Sequence, residues 1–277
     1  MWEDRRVRFD DAVLALFTAI RIGRLAVMER AAGGQDVHVS DLFSDEELPF
    51  RDAFRLTADE AERRWANGET ELAAMGVVTC ISAFDDLLGA TIKLLRDLRL
   101  DPTPAGSEDT GVSAKLRYLE THGGLSISPA EIRLHDLGVA LRNSVTHHAA
   151  SQRLVRKAWD RLDEEEQAWW ERAATRSIPF THDTHALALD DRDLVAFFKA
   201  FDRIALSVNR ELRQRVSEAQ WARLVYDEYR TVAPSKAANP QRHVAESTLV
   251  HAQKVWRLEL KRDVVESVLE GLGLVRR

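Results

Sequence analysis

The chain has one cysteine, Cys80, among its 277 residues. One thiol excludes an internal disulfide framework, and its apolar neighbourhood marks it as a small core residue. Proline and glycine are scarce, at 7 and 13 residues, so few segments are barred from helix. No unbroken run of 18 apolar residues occurs, so no transmembrane helix is expected. The first residues, Met1-Trp2-Glu3-Asp4-Arg5-Arg6, mix charge and lack the apolar stretch and small-residue cleavage site of a secretory signal. Together these absences point to a cytoplasmic protein without a membrane partner. Missing too are a phosphate-binding P-loop, a Gly-rich dinucleotide turn, and the HExxH and GxSxG patterns, which leaves those chemistries without support. There is no internal repeat and no low-complexity tract.

What is present is ordinary in amount and uneven in placement. Hydrophobic residues make up 45% and charged residues 30%, the balance of a globular domain. The formal charge of −6 argues against wholesale coating of nucleic acid, though not against a local basic site. From Asp41 to Glu71 there are 10 acids and 4 bases, a net of −6. From Arg142 to Arg161 there are 5 bases and 1 acid, a net of +4. A stretch of that sign is either a solvated helix face or a landing strip for a polyanion.

Apolar spacing predicts helix almost throughout. Residues 3–31 carry Phe9, Val13, Leu16, Phe17, Ile20, Leu25 and Met28 in an amphipathic helical pattern that stops at Gly33-Gly34. Residues 49–66 read as a charged helix, and 70–99 as the most apolar one, apolar over enough of its surface to be central. Residues 101–112 are the clearest loop. A short helix is expected over 113–121. Ser128-Pro129-Ala130-Glu131 then has the order of an N-cap, a first-turn proline and an acidic first turn. Further helices are expected over 152–175, 191–216, 218–231 and 244–272, with a possible short strand in 181–190. The expected architecture is all-α, a helical bundle over residues 1–217 with a C-terminal helical extension over 218–277.

The helix opened by Ser128 ends in the one cluster with promising chemistry, Arg142-Asn143-Ser144-Val145-Thr146-His147, followed by His148. Arg–His pairs at similar spacing recur at Arg117/His122 and Arg176/His182, so spacing alone means nothing. The first of these runs into Gly123-Gly124 and the second contains Pro179; only Arg142 to His147 continues an amphipathic helix. Asn143 and His147, four apart, share a face, while Arg142 lies about 100° round from Asn143. Arginine offers a planar fork for phosphate oxygens, and histidine can accept or donate a proton near neutral pH. RNA brings its own nucleophile, the 2′-hydroxyl, so such a pair suffices for cleavage without a metal or other cofactor.

An all-α chain with a helix ending in R-N-x-x-x-H and a helical pair after it resembles the HEPN domains, over residues 1–217. That resemblance implies a metal-independent endoribonuclease of toxin–antitoxin or antiviral-defence systems. It implies a homodimer in which two motifs share a cleft, with RNA as substrate and an antitoxin or other defence protein as a partner. Carried onto this chain, Arg142 holds the scissile phosphate, His147 is general base or acid, and Asn143 orients the histidine or the substrate. His148, Arg153, Arg156 and Lys157 extend the substrate contact, and Asp85 and Asp86 position Arg142. One branch of the family has a tyrosine two residues after the histidine, modified by a partner nucleotidyltransferase. Ala149 stands there in this chain, so such a partner is not expected.

Two other readings compete. Leu134-His135-Asp136-Leu137-Gly138 resembles the His-Asp doublet of HD-type metal phosphohydrolases, which also need a histidine well upstream and an aspartate well downstream. His182-Asp183-x-His185 is a second metal-like cluster, without an evident third ligand. The other alternative is a non-catalytic helical binding or regulatory module that meets a protein partner through its apolar faces. Trp169-Trp170 read as packing residues rather than base-stacking ones.

Overall fold

A computed structural model describes residues 2–31, 36–44, 46–47, 55–101, 112–146, 151–178, 189–233 and 243–274, with the backbone alone at 2–10, 14, 112–113 and 151. Eleven α-helices occur among these residues, and no strand. The chain is all-α. An isolated antiparallel bridge joins His38 to Thr57. The possible strand over 181–190 falls almost wholly outside the described residues.

The axis of the molecule is α3 (Ala58–Asp97), 40 residues long. Its start is fixed by a reciprocal cap. The Glu60 amide donates to Thr57 Oγ1 at 3.2 Å, and the Thr57 amide donates to Glu60 Oε2 at 3.0 Å. Two separate helices, over 49–66 and 70–99, were expected from the spacing; from Ala58 onward there is one continuous helix. Gly68, at the expected break, sits within the helix with open space around it, so its flexibility is absorbed by good helix formers on both sides. By length and hydropathy α3 could cross a membrane. Here, Ala73, Val77, Ile81, Phe84, Leu88, Ile92 and Leu95 of α3 are buried in the main core.

Around α3 lie α1 (Trp2–Arg30), α4 (Val112–Thr121), α5 (Pro129–Thr146) and α8 (Asp191–Arg215). Helix α1 packs through Val13 and Phe17 into the main core and through Val27 into a small satellite with Val39, Ala58 and Ala61. The four-residue α2 (Val39–Leu42) belongs to that satellite. Helix α8 approaches both α3 and α5 at glycines. A Cβ on Gly76 would lie 2.7 Å from Leu194, and one on Gly138 would lie 2.4 Å from Phe201. Only hydrogen fits at these crossings, and Phe84, Phe197 and Phe201 fill the space between the helices.

The single helix expected over 152–175 is two, α6 (Ser151–Trp159) and α7 (Glu164–Ala174). Asp163 is the cause. Its carboxylate caps the Glu166 amide, Glu166 returns the bond, and Glu164, Glu165 and Glu166 supply the acidic first turn of a new helix. Arg133 of α5 grips Asp163 and Glu166, tying this start to the bundle. Asp190 and Asp193 cap α8 in the same way, and Arg176 is ion-paired to both.

Past α8, Ser217 caps α9 (Glu218–Val232). The helix expected over 244–272 is broken into α10 (His243–His251), a π-helical turn (Ala252–Trp256) and α11 (Arg262–Gly271). Arg257, left-handed at φ 50°, ends the π turn, as residues that stop a helix commonly do. Tyr226, Tyr229, Val244, Ala245, Val265 and Leu269 form a separate small core, while Trp221, Val225, Ala252 and Leu258 join the main one.

Candidate functional site

Helix α5 begins as its sequence suggests. The Ser128 amide donates to Glu131 Oε2 at 2.9 Å, and the Glu131 amide to Ser128 Oγ at 3.2 Å. Leu134, Leu137 and Leu141 anchor the helix in the main core, at most 1% exposed. That anchoring fixes the direction of everything polar on α5. Two places on it carry the residues that the sequence singles out, one near its middle and one at its end.

In the middle, His135 is 1% exposed, between Phe84 and Phe201 at ring-centre distances of 5.7 and 5.9 Å. Its Nε2 is buried and has no hydrogen-bond partner among the described residues. Burial pushes His135 down to about 4; the positive charge of Arg117 adds to this and the negative charge of Asp85 opposes it. His135 is therefore neutral at pH 7. The adjacent Asp136 turns away and is ion-paired to Arg117. The His-Asp doublet thus points to two different places, and no group of three metal-ligating side chains occurs among the described residues. His182, Asp183 and His185 lie outside those residues.

At the end of α5, Arg142 and Asn143 are both half-buried. Arg142 Nη1 donates to Asn143 Oδ1 at 3.0 Å. Asn143 therefore orients the arginine, a role the sequence pattern alone did not suggest. Arg142 Nε is buried and has no hydrogen-bond partner among the described residues. Thr146 caps the turn by donating to the Arg142 carbonyl at 3.0 Å. A guanidinium fixed by one amide and left with an inner donor unpaired is suited to an anion with several acceptor oxygens. His147, His148 and Ala149 lie outside the described residues.

The remaining sequence-selected residues are distributed as follows. Asp85 lies on α3 and takes an ion pair from Lys115 of α4, Nζ to Oδ2, at 2.7 Å. Its Oδ1 is buried with no hydrogen-bond partner among the described residues. The ion pair seen for Asp85 is thus with Lys115, and its field reaches His135. Asp86 sits on the exposed side of α3. Arg153, Arg156 and Lys157 are all exposed on α6, which packs on α5. Lys115 was missed by sequence reasoning. A lone lysine on a short helix gives no signal until α4 is folded against α3.

No family model, no curated protein and no solved structure matches the chain. The class its fold defines is therefore that of an all-α helical bundle, and its function has to be argued from the end of α5.

Proposed function

We propose that this protein is a HEPN-type, metal-independent endoribonuclease, acting as a homodimer in a toxin or antiviral-defence setting in the cytoplasm. One observation carries the reading: Arg142, held by Asn143, has a buried Nε without a hydrogen-bond partner among the described residues, at the end of the helix that precedes His147 in the sequence. In this reading the Arg142 fork binds two oxygens of a phosphodiester. His147 takes the proton from the adjacent 2′-hydroxyl, whose oxygen attacks phosphorus. The P–O5′ bond breaks, the 5′-oxygen leaves with a proton, and a 2′,3′-cyclic phosphate remains. Charge building on the phosphoryl oxygens is met by the fixed guanidinium, which needs no reorganisation at the moment of reaction. Arg153, Arg156 and Lys157 on the neighbouring α6 would contact flanking phosphates.

The test is incubation of wild type and His147→Ala with a labelled RNA in EDTA, followed by identification of the product ends. Cleavage by wild type alone, with cyclic-phosphate ends, is the expected result. Cleavage retained in His147→Ala, or seen only with added metal, would overturn the reading.

A second reading is favoured by a different observation. Ile22 and Leu25, three apart on one face of α1, are 63% and 66% exposed, a small apolar patch suited to a protein partner. Under that reading the chain is a non-catalytic binding module, inert towards RNA with either residue at position 147.

A further inference from the structure

Helix α8 buries one side against α3, α5 and α7 and turns the other outward. Lys199, Arg203, Leu206, Arg210 and Arg213 are all exposed on it. They follow steps of four, three, four and three residues, which places them on one face. The row spans about 21 Å along the axis. Two acids adjoin it in sequence, Asp202 and Glu211, both half-buried; Glu211 accepts from the Ser126 amide at 3.2 Å as well as pairing with Arg210. Cations in the last turn of a helix are commonly explained by the helix dipole. That explanation covers Arg213 but not Lys199 or Arg203, which sit in the middle of α8.

Two contacts turn the row into more than scattered charge. The Arg203 guanidinium carbon lies 5.8 Å from the ring centre of Trp169 on α7, a cation–π contact that sets a cation beside an indole. At the other end, Arg213 Nη2 donates to the carbonyl of Arg257 at 3.3 Å. That residue ends the π turn in a left-handed conformation, so the irregular backbone of the C-terminal region sets an exposed arginine at the end of the row.

We propose that this ridge of α8, continued by Arg257, is a binding track for single-stranded RNA, separate from the end of α5. The cations follow the phosphodiester backbone and a base stacks on the Arg203–Trp169 pair, the combination by which strands are held without sequence preference. A row one residue wide suits a single phosphate chain, and a guanidinium–indole pair suits a base better than a carboxylate of an acidic protein. The proposal deepens the reading of the chain as a ribonuclease, since it supplies the substrate's second point of attachment. It also gives residues after 217 a task.

The test is fluorescence anisotropy of a fluorescein-labelled single-stranded RNA in EDTA, at several salt concentrations. The protein is the full chain carrying His147→Ala, so that nothing is cut. It is compared with the same protein carrying Lys199→Ala, Arg203→Ala, Arg210→Ala and Arg213→Ala together. All four side chains are exposed, and an unchanged unfolding midpoint checks the fold. The expected result is a loss of affinity of about tenfold or more, with the slope of log K against log salt reduced by about 3. Should the combined variant fail to fold, Arg203→Ala and Lys199→Ala singly are expected to weaken binding in the same direction. Unchanged affinity and slope would overturn the proposal, as would a His147→Ala protein that binds no RNA. Wild-type cleavage is scored beside it. Ridge-dependent binding with no cleavage refutes the ribonuclease and keeps the track; normal cleavage with ridge-independent binding does the reverse.

Discussion

The middle and the end of α5 carry similar residue types and opposite environments. His135 is buried with Phe84 and Phe201 against its ring, and its charged neighbours are paired, Asp136 with Arg117 and Asp85 with Lys115. Two turns further along, Arg142 donates to Asn143 Oδ1, and its buried Nε has no hydrogen-bond partner among the described residues. Both places read as candidate chemistry in the sequence. What separates them is burial: His135 is 1% exposed, whereas Arg142 and Asn143 are half-buried at the end of the helix. A histidine made neutral by burial and walled by rings serves packing. An arginine oriented at a helix end is the place from which a ligand contact is proposed.

The largest expected effect falls on catalysis at the end of α5. Arg142→Lys keeps the charge but gives up the planar fork and the Nε–H. Cleavage in single turnover is expected to fall by about 100-fold or more, with the unfolding midpoint unchanged. A lysine variant that cuts normally would mean that charge alone suffices and the held geometry is irrelevant.

The next effect belongs to the middle of the helix and appears in stability. The His135 pKa is lowered in the folded state to about 4, against about 6.5 when unfolded. Between those values the unfolded chain binds more protons than the folded one, so stability falls as pH is lowered from about 6.5 to about 4 and levels off below. The shift corresponds to a loss on the order of 3 kcal/mol across that window. Urea titrations at pH 7 and pH 4.5 measure it. His135→Leu should remove this share of the pH dependence and leave stability at pH 7 equal or higher, because it deletes a buried atom without a partner. An unchanged slope in His135→Leu would place the proton elsewhere.

Smaller effects test the frame that holds both places. Gly138→Ala forces a Cβ against Phe201, and a loss of about 1–3 kcal/mol is expected in urea unfolding. Ser128→Ala removes one half of the cap that starts α5 and should cost about 1 kcal/mol. If Gly138→Ala were neutral, the close crossing of α5 and α8 would not be a constraint on where Arg142 points.

Much of this was legible in the sequence, and the parts that were not have physical reasons. The all-α class followed from periodicity, and the start of α5 from Ser128, Pro129 and Glu131. Helix continuity was harder. Helices were expected over 49–66 and 70–99, yet residues 67–69, Gly68 among them, are carried within α3, whereas Asp163, which does break the chain into α6 and α7, is an ordinary acid until its bond with Glu166 forms. The break after Trp256 rests on a π turn and a left-handed Arg257, for which no residue type gives a cue. At the candidate site, Arg142 and Asn143 were visible as a motif, but their mutual bond was not. The Lys115–Asp85 pair and the Arg203–Trp169 contact join elements distant in sequence, so only the packing reveals them.

The most direct measurement compares initial rates of RNA cleavage in EDTA for wild type, Arg142→Ala and His135→Leu on one labelled RNA. The account predicts that Arg142→Ala is inactive and His135→Leu is as active as wild type. Equal loss in both, or full activity in Arg142→Ala, would contradict the claim that the end of α5 is where this protein meets a phosphodiester.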